Sequence, residues 1–292
     1  MNKISSLISE TVAAGYEQGQ VNLLLGLQRL DKGATVEAVG RAELRYGGDV
    51  DHGSSRRIPL SEIPGTVQPD IVGRSKRLWR LPDGQCLVQI VPSLRSFTYQ
   101  RDEMVERTGP LRLTFYEKAA ARIEAAGVAC AFRERVGPDS YLADYCPAPP
   151  FEVIVKNRAT GSTTRKYPGL FEDGAPLPRP VVKFDYRIDP EDQPIGEDYL
   201  RALGLPVEEM RERALAVNET LRSWLHPVDL WDMCLIFGVT AEGGLTVISE
   251  ISQDCMRLRH EDGSPLDKDL FRDGVDADEI VNQWSRILDV IR

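Results

Sequence analysis

The stretch from residue 152 to residue 166 constrains the fold and the chemistry of this chain more than any other. An apolar run at 153–155 predicts a buried β-strand. The chain then breaks at Gly161, and such a turn can direct backbone N–H groups toward a ligand. Hydroxyl and basic side chains follow at once, from Ser162 to Lys166. This pattern predicts a phosphate site, and the alternative is a solvated basic turn after a strand.

The composition restricts the kinds of partner and site that the chain can have. Its 292 residues, 42% of them hydrophobic, are enough for one large domain or two modest ones. The formal net charge of -9 argues against nucleic acid or an anionic membrane surface as a general partner. The five cysteines are scattered and lack a CxxC pair, which predicts reduced thiols in the cytoplasm. No apolar run reaches the length of a membrane span, and a homo-oligomer is left open.

Hydrophobic periodicity predicts strands and helices that alternate along the chain. The predicted elements are a hairpin at 76–91, a helix at 110–126, strands at 128–145 and 181–186, a helix at 207–224, a hairpin at 230–250 and a C-terminal helix from Asp276. The stretch 168–180 is rich in Pro and Gly and predicts a loop. This order of elements favours an α+β or mixed α/β architecture.

Two motifs that lie far apart in the chain resemble those of one enzyme family. The segment from Glu152 to Ser162 resembles E-V-V-V-R-N-x-A-A-G-S of the SAICAR synthetases (phosphoribosylaminoimidazole-succinocarboxamide synthases). About 90 residues later, the segment from Glu250 to Arg272 resembles D-E-I-S-P-D-x-x-R-L-W-D and L-D-K-D-x-F-R of the same family. The resemblance extends over roughly residues 72–292, so the chain is identified as a divergent member.

The resemblance implies an α+β fold of two lobes, with antiparallel sheets and a nucleotide cleft between the lobes. It implies a smaller nucleotide-binding lobe at residues 71–150 and a larger substrate-binding lobe at residues 151–292. Residues 1–70 have no counterpart in the family pattern and are predicted to form an N-terminal extension, mostly helical and then a loop. This extension serves packing or oligomerisation in one hypothesis and forms a lid over the pocket in the other.

The resemblance also implies a reaction and a set of site residues. ATP and Mg²⁺ activate a carboxylate on an imidazole ribonucleotide, and the amine of an amino acid such as L-aspartate then forms an amide. Such chemistry needs cations around the phosphates and oxygen ligands for magnesium. The matching residues are Lys156, Ser162, Arg257 and Arg272 for the ribotide phosphate, Arg74 and Lys76 for the nucleotide, Asp189, Asp232 and Glu250 for catalysis, and Asp232, Glu250 and Asp254 for the metal.

Several polar positions of the family pattern are altered in this chain. The strand D-F-K-L-E-F-G has Cys234 in place of its lysine and Ile236 in place of its glutamate. Ser249 stands where D-E-I-S-P-D begins with aspartate, and Thr98 and Gln193 replace two further acids. Isoleucine cannot bind magnesium, so the departures predict weak or absent Mg–ATP binding.

Three hypotheses about function follow. In the first, which the family resemblance favours, the chain is an ATP-dependent carboxylate–amine ligase of this family that holds the metal differently, through Asp189, Asp232, Glu250 and Asp254. In the second, it is a repurposed member in nucleoside or specialised-metabolite biosynthesis, with lost or altered ATP and Mg²⁺ chemistry. In the third, it is a non-catalytic nucleotide-binding protein. The basic residues retained at the predicted phosphate site argue against the third hypothesis. The replacement of acidic residues of the family pattern argues against ordinary purine synthesis.

Overall fold

The computed structural model describes residues 60–81, 84–96, 99–188, 191–240 and 243–291. Most of the predicted N-terminal extension lies outside the described residues, as do Thr98 and the predicted catalytic residue Asp189. The described end of the extension forms a 3-10 turn at Leu60–Glu62 and a short helix, where the sequence predicted a loop. The Ile63 side chain is buried in a small apolar cluster with Trp79 of the first sheet, which holds this end of the extension against that sheet.

Helices and strands alternate through the described part of the chain. The helices are α1 (Ile63–Thr66), α2 (Thr108–Ala125), α3 (Ser162–Lys166), α4 (Glu197–Ala202), α5 (Val207–Leu225), α6 (Asp269–Arg272) and α7 (Ala277–Val290). The strands are β1 (Ile71–Val72), β2 (Lys76–Arg80), β3 (Gln85–Ile90), β4 (Ser93–Ser96), β5 (Arg101–Met104), β6 (Phe132–Arg135), β7 (Ser140–Asp144), β8 (Phe151–Arg158), β9 (Pro176–Tyr186), β10 (Gln193–Ile195), β11 (Asp229–Leu235), β12 (Phe237–Val239), β13 (Leu245–Val247) and β14 (Met256–Arg259).

The first sheet has the strand order β1-β2-β3-β7-β6, and its strands pair antiparallel. The predicted hairpin near its start is confirmed, because β2 pairs with β3 from Lys76 opposite Ile90 to Arg80 opposite Cys86. Helix α2 packs against this sheet through side chains that are buried at four-residue intervals from Thr108 to Ala120. This spacing matches one face of an α-helix.

The second sheet has the order β10-β9-β8-β11-β14, again antiparallel. Alternate residues of β8, among them Val153 and Val155, are buried in the core beneath α5. Strand β9 begins at Pro176, so the loop predicted at 168–180 is wrong over its last five residues. Proline is tolerated there because this part of β9 pairs with β8 alone and its other edge needs no N–H donor.

Two further predicted helices are confirmed, and each has a clear reason to form. Helix α5 buries Met210, Val217 and Leu221 on one face. At the start of α7, the Asp276 side chain accepts a hydrogen bond from the Glu279 N–H at 3.0 Å and so caps the helix. Buried side chains of α7 then form a small core with residues of β4 and α6.

The two five-stranded antiparallel sheets, the two-stranded antiparallel sheets β4-β5 and β12-β13, and the helices packed on them confirm the predicted α+β class. Among the described residues, none of the helices combines the length and the apolar character needed to cross a membrane. The domain boundaries at residues 70/71 and 150/151 and the cytoplasmic location stay predictions.

Candidate active site

A cleft of about 1540 Å³ lies between the two sheets. Ile71 and Leu78 line it on the first sheet, and Ile154 lines it on the second. The structure brings together in this one concavity the residues predicted for the ribotide phosphate and one predicted for the nucleotide. These residues are Lys156, Ser162, Arg257, Arg272 and Arg74.

Strand register explains why polar side chains meet on the floor of the cleft. Lys156 of β8 lies opposite Asp232 of β11, which lies opposite Arg257 of β14. Residues that lie directly opposite one another share a face of an antiparallel sheet. Their sequence neighbours Val155 and Met233 point to the other face and are buried in the core. Three adjacent strands therefore present one row of charged side chains.

Asp232 is the centre of this row. Its Oδ2 accepts hydrogen bonds from Lys156 Nζ at 2.9 Å and from Arg257 Nη1 at 2.7 Å. Burial by itself raises the pKa of the Asp232 carboxyl, but the charges of Arg257 and Lys156 outweigh burial and hold the pKa below its ordinary value. Asp232 is therefore ionised and holds both cations in place.

Arg257 extends from this row to the turn at Gly161. Its Nε donates to Asp269 Oδ2 at 3.2 Å, and Asp269 also accepts a hydrogen bond from Arg272. Gly161 has a φ of 59°, and a Cβ at this position would lie 2.7 Å from Arg257 Nη2. Glycine therefore lets the guanidinium lie against the turn. We call the following residues the sheet cluster: Lys156, Asp232, Arg257, Asp269 and Arg272.

Lys156 lies deeper than a direct phosphate ligand would. Its side chain is 3% exposed, and Nζ donates to Asp232 and to the Thr160 carbonyl oxygen at 3.0 Å. Burial lowers the pKa of Lys156, with Asp232 acting in the opposite direction. Its contacts support the floor, whereas Arg257 and Arg272, with side chains 20% and 24% exposed, present their charge to the cleft.

A second group of charges connects the first sheet, helix α2 and the segments that flank β14. We call it the bridging cluster, and its members are Lys76, Arg112, Glu250, Asp254 and Lys268. Arg112 is 1% exposed and binds both carboxylate oxygens of Glu250, through Nε at 2.7 Å and Nη2 at 2.9 Å. Arg112 Nη2 also lies 3.4 Å from Asp254 Oδ2. Lys76 Nζ is 3.3 Å from Glu250, and Lys268 Nζ is 2.8 Å from Asp254.

The three acids predicted to bind metal do not form a common ligand set. Among the described residues, no group of three or more Asp, Glu, His or Cys side chains is placed to hold a metal ion. Asp232 belongs to the sheet cluster, and Glu250 and Asp254 belong to the bridging cluster. Each of these carboxylates contacts two cationic side chains. Magnesium binds through carboxylate oxygens that are free to coordinate it, so these three acids, as the described part of the chain arranges them, do not fit Mg²⁺.

The electrostatics of the bridging cluster agree with this geometry. Burial raises the pKa of Glu250, yet the charges of Arg112 and Lys76 hold that pKa below its ordinary value. The pKa of Asp254 is likewise held low by Lys268 and Arg112 against the effect of burial. Both acids are therefore ionised and paired with protein cations, which does not suit either of them to donate a proton in catalysis. The pairing of Asp254 is ionic, since its Oδ1 has no hydrogen-bond partner among the described residues.

Two altered positions of the family pattern lie next to each other. The Ile236 N–H donates a hydrogen bond to Ser249 Oγ at 2.9 Å. An aliphatic side chain and a hydroxyl that binds the backbone therefore stand where the pattern has two acids. Gln193 is an exposed residue of β10 whose amide donates to the Glu191 carbonyl oxygen at 2.9 Å.

The other end of the cleft floor holds a different pair of acids. Glu152 of β8 and Asp185 of β9 lie opposite one another, and both line the cleft. Glu152 Oε2 accepts a hydrogen bond from Cys234 Sγ at 2.9 Å, and Asp185 forms an ion pair with Lys183. Burial is the main influence on Glu152 and raises its pKa. This end of the floor therefore favours a neutral carboxyl more than the two clusters do.

Sequence reasoning missed Arg112 and Lys268 as site residues. Arg112 lies four residues before Tyr116 and eight before Ala120, so it falls on the buried face of α2. An arginine on an apolar helix face indicates a buried acidic partner, and this signal was available. The sequence did not identify the partner, because Glu250 is 138 residues away along the chain.

Comparisons with known proteins agree with the motifs. A sequence profile described as SAICAR synthetase matches residues 71–289. The phosphoribosylaminoimidazole-succinocarboxamide synthase of Methanocaldococcus jannaschii is 34% identical over 223 residues, which cover 74% of this chain and 91% of the relative. The synthase of the same name from Methanopyrus kandleri is 34% identical over 210 residues, which cover 68% of this chain and 84% of the relative.

Solved structures give the same result. A SAICAR synthetase in complex with ADP superposes with a TM-score of 0.70 at 25% identity and covers 75% of this chain and 96% of its own. SAICAR synthetase from Pyrococcus horikoshii superposes with a TM-score of 0.68 at 25% identity, covering 74% of this chain and 97% of its own. Both sequence and architecture therefore relate this chain to one family.

Proposed function

The chain belongs to the SAICAR synthetase family, and we propose that it is an ATP-dependent carbon–nitrogen ligase. Its substrates in this proposal are a carboxylated aminoimidazole ribonucleotide and an amino acid such as L-aspartate. The chain spans most of the length of the relatives that carry this activity in their names. The family's use of a nucleotide is supported by the relative that was solved with ADP.

The observation that carries the proposal is that the basic residues predicted to bind the ribotide phosphate line one cleft. Arg257, Arg272 and Ser162 line it together, and the carboxylates of Asp232 and Asp269 hold the two arginines in place. Guanidinium groups match the oxygens of a phosphate well, and a hydroxyl can donate one more hydrogen bond. This arrangement supports a ribotide phosphate at the sheet cluster.

The nucleotide takes the other side of the cleft in this proposal. Arg74 lines the cleft from the first sheet, and Lys76 extends from the start of β2 with its side chain 31% exposed. ATP supplies the phosphoryl group that activates the ribotide carboxylate, and the amino acid's amine then displaces it. The protein's part in this scheme is to hold both substrates in line and to neutralise phosphate charge.

Asp232 and Glu250 have a narrower role than the sequence predicted. Both are ionised, buried and bound to cations, so we assign them to positioning Arg257 and Lys76, respectively. The predicted catalytic role of Asp189 stays a prediction, because this residue lies outside the described part of the chain.

The direct test incubates the full chain with ATP, the carboxylated aminoimidazole ribonucleotide and L-aspartate, and measures ADP and the amide product by chromatography with mass detection. We expect both products in equal amounts.

Arg257→Ala should weaken ribotide binding by roughly 1.5–3 kcal/mol, because it removes a charge-assisted contact. Arg133→Ala is the matched control, because it removes a surface ion pair between two residues that do not line the cleft. Absence of the amide under all conditions contradicts the ligase.

The second hypothesis from the sequence, a repurposed member, is favoured by one observation. Ile236 and Ser249 replace two acids, and Cys234 replaces a lysine, on or beside the cleft floor. Different side chains on the floor would select a different acceptor or ribotide. The same assay with a panel of amino acids, read together with the identity of the neighbouring genes, separates this hypothesis from ordinary purine synthesis.

A further inference from the structure

The bridging cluster forms one continuous chain of opposite charges. Its order is Lys76, Glu250, Arg112, Asp254 and Lys268, and each neighbouring pair lies between 2.7 and 3.4 Å apart. The central guanidinium is almost fully buried and also donates to the Val91 carbonyl oxygen at 3.1 Å. The two lysines at the ends are more exposed, and Lys268 lines the cleft. Three cations and two anions leave one net positive charge.

Arg112 lies where it satisfies two carboxylates at once. A divalent cation between two acids would do the same, because it also draws carboxylate oxygens together through positive charge. Arg112 binds both oxygens of Glu250 through hydrogen bonds and approaches Asp254 as an ion pair, which leaves Glu250 engaged with protein donors. Coordination of a metal ion by Glu250 would require the buried bidentate pair to break first.

We propose that this cleft binds the polyphosphate of a nucleotide without a divalent cation, because Arg112 fills the space between Glu250 and Asp254 and the acids in turn hold Lys76 and Lys268 as fixed cations. The inference rests on the proposed function in one respect, namely that the cleft takes a nucleotide. Arg112 is a positioning residue in this scheme. Lys268, which lines the cleft, meets the phosphates, and Lys76 adds its charge from the start of β2.

The altered positions of the family pattern support the same conclusion independently. Ile236 and Ser249 are neighbours in space, and neither carries a carboxylate. An additional pair of acids at these positions would supply oxygen ligands close to the cluster, and their absence removes a way to bind a metal ion beside Glu250.

The decisive measurement is calorimetric titration of ATP and of ADP into the full unmodified chain, in excess EDTA and in excess magnesium chloride. We expect dissociation constants that differ by less than about tenfold between the two conditions. Binding that is tenfold or more tighter with magnesium overturns the inference. Lack of binding in both conditions overturns it as well, since the fixed cations would then hold no polyphosphate.

Two sets of variants sharpen this test. Lys268→Met should weaken nucleotide binding in EDTA about tenfold, whereas Lys118→Met, a lysine that binds a backbone carbonyl outside the cleft, should leave it unchanged. Equal effects of the two substitutions contradict the assignment of Lys268.

The double variant Ile236→Glu with Ser249→Asp should acquire a magnesium dependence of nucleotide binding of tenfold or more. Its neutral matched control, Ile236→Gln with Ser249→Asn, should acquire none, and equal behaviour of the two contradicts the role given to these positions.

The outcomes separate this inference from the proposed function. If nucleotide binds equally with and without magnesium but the amide is never formed, the ligase proposal fails and the inference stands. If the amide is formed and nucleotide binding requires magnesium, the ligase proposal stands and the inference fails.

Discussion

The sheet cluster and the bridging cluster use similar residues in different ways. Three members of the sheet cluster, Lys156, Asp232 and Arg257, lie on adjacent strands of one sheet, and register alone sets them side by side. The other two members, Asp269 and Arg272, belong to helix α6. The bridging cluster joins a strand of the first sheet, helix α2 and loop residues on both sides of β14, and Arg112 is its buried centre. The first presents arginines to the cleft, whereas the second has its central arginine enclosed.

This difference predicts how substitutions in each cluster affect ligand binding and stability. A residue of the sheet cluster can be altered while the strands around it stay paired, so substitutions there should act mainly on ligand binding. The bridging cluster connects elements that meet only through tertiary packing, and its centre has no access to water. Substitutions at its centre should therefore act on stability first, and the predictions below examine this contrast from the largest effect to the smallest.

The largest effect is expected from Arg112→Met. It leaves the buried Glu250 carboxylate without its bidentate partner, which should lower the free energy of unfolding by about 3–5 kcal/mol. Urea denaturation of the variant measures this loss. Arg272→Met, in the sheet cluster, is the matched comparison and should lower it by only about 1 kcal/mol, because its pairing with Asp269 is partly exposed.

A double variant distinguishes the lost ion pair from lost packing. Adding Glu250→Gln to Arg112→Met removes the unpaired charge and should recover part of the lost stability. If Arg112→Met and Arg272→Met lower the free energy of unfolding equally, the contrast between the two clusters is wrong.

Gly161→Ala should have the next largest effect, and mainly on binding. The new Cβ would lie 2.7 Å from Arg257 Nη2, so the guanidinium must move away from the turn. We expect ribotide affinity to fall by roughly 1.5–3 kcal/mol, the value of one charge-assisted contact, in calorimetric titration. Gly204→Ala is the control, because Gly204 also has a positive φ of 79° but no atom within 4 Å of a new Cβ. Equal loss of affinity in both variants contradicts a specific role for Gly161.

Ser162→Ala should weaken ribotide binding by about 1.5 kcal/mol, because one hydrogen bond to the phosphate is lost. The free energy of unfolding should stay within about 0.5 kcal/mol of the unmodified chain, since the side chain is only half-buried. Titration and urea denaturation of the same preparation provide both values. An unchanged affinity places the phosphate elsewhere in the cleft.

The sequence predicted the sheet cluster better than the bridging cluster for a physical reason. The family motifs contain Lys156, Ser162 and Arg257. The pairing of the strands then places Lys156 and Arg257 on either side of Asp232. Arg112 carries a local sign of burial, but its partner is set by how α2 packs against the loop at 250–254, which no local pattern encodes. At Pro176 a local signal gave the wrong prediction. Proline and glycine indicated a loop at 168–180, but proline is also compatible with an unpaired strand edge, and β9 begins at this residue.

The smallest effect is expected at Glu152, at the other end of the cleft floor. The pH dependence of its contribution to stability has the opposite sign to that of the acids in the two clusters. The pKa values of Asp232 and Glu250 are held low, so their contribution to stability is present above their ordinary pKa near 4 and is lost as the pH falls through the folded value. Burial raises the pKa of Glu152, so its contribution is fully present below about pH 4 and is lost as the pH rises through the raised value.

Glu152→Gln removes this titration and keeps an acceptor for Cys234. The variant should therefore gain free energy of unfolding, relative to the unmodified chain, as the pH rises from about 4 to 7, by about 1 kcal/mol or less. Glu250→Gln should show the reverse, with a loss that grows over the same range, because the ionised carboxylate that Arg112 and Lys76 bind is missing. Urea denaturation of both variants at a series of pH values measures the two slopes. Slopes of the same sign would mean that Glu152 also lies in a cationic environment, and the contrast between this end of the floor and the two clusters would be lost.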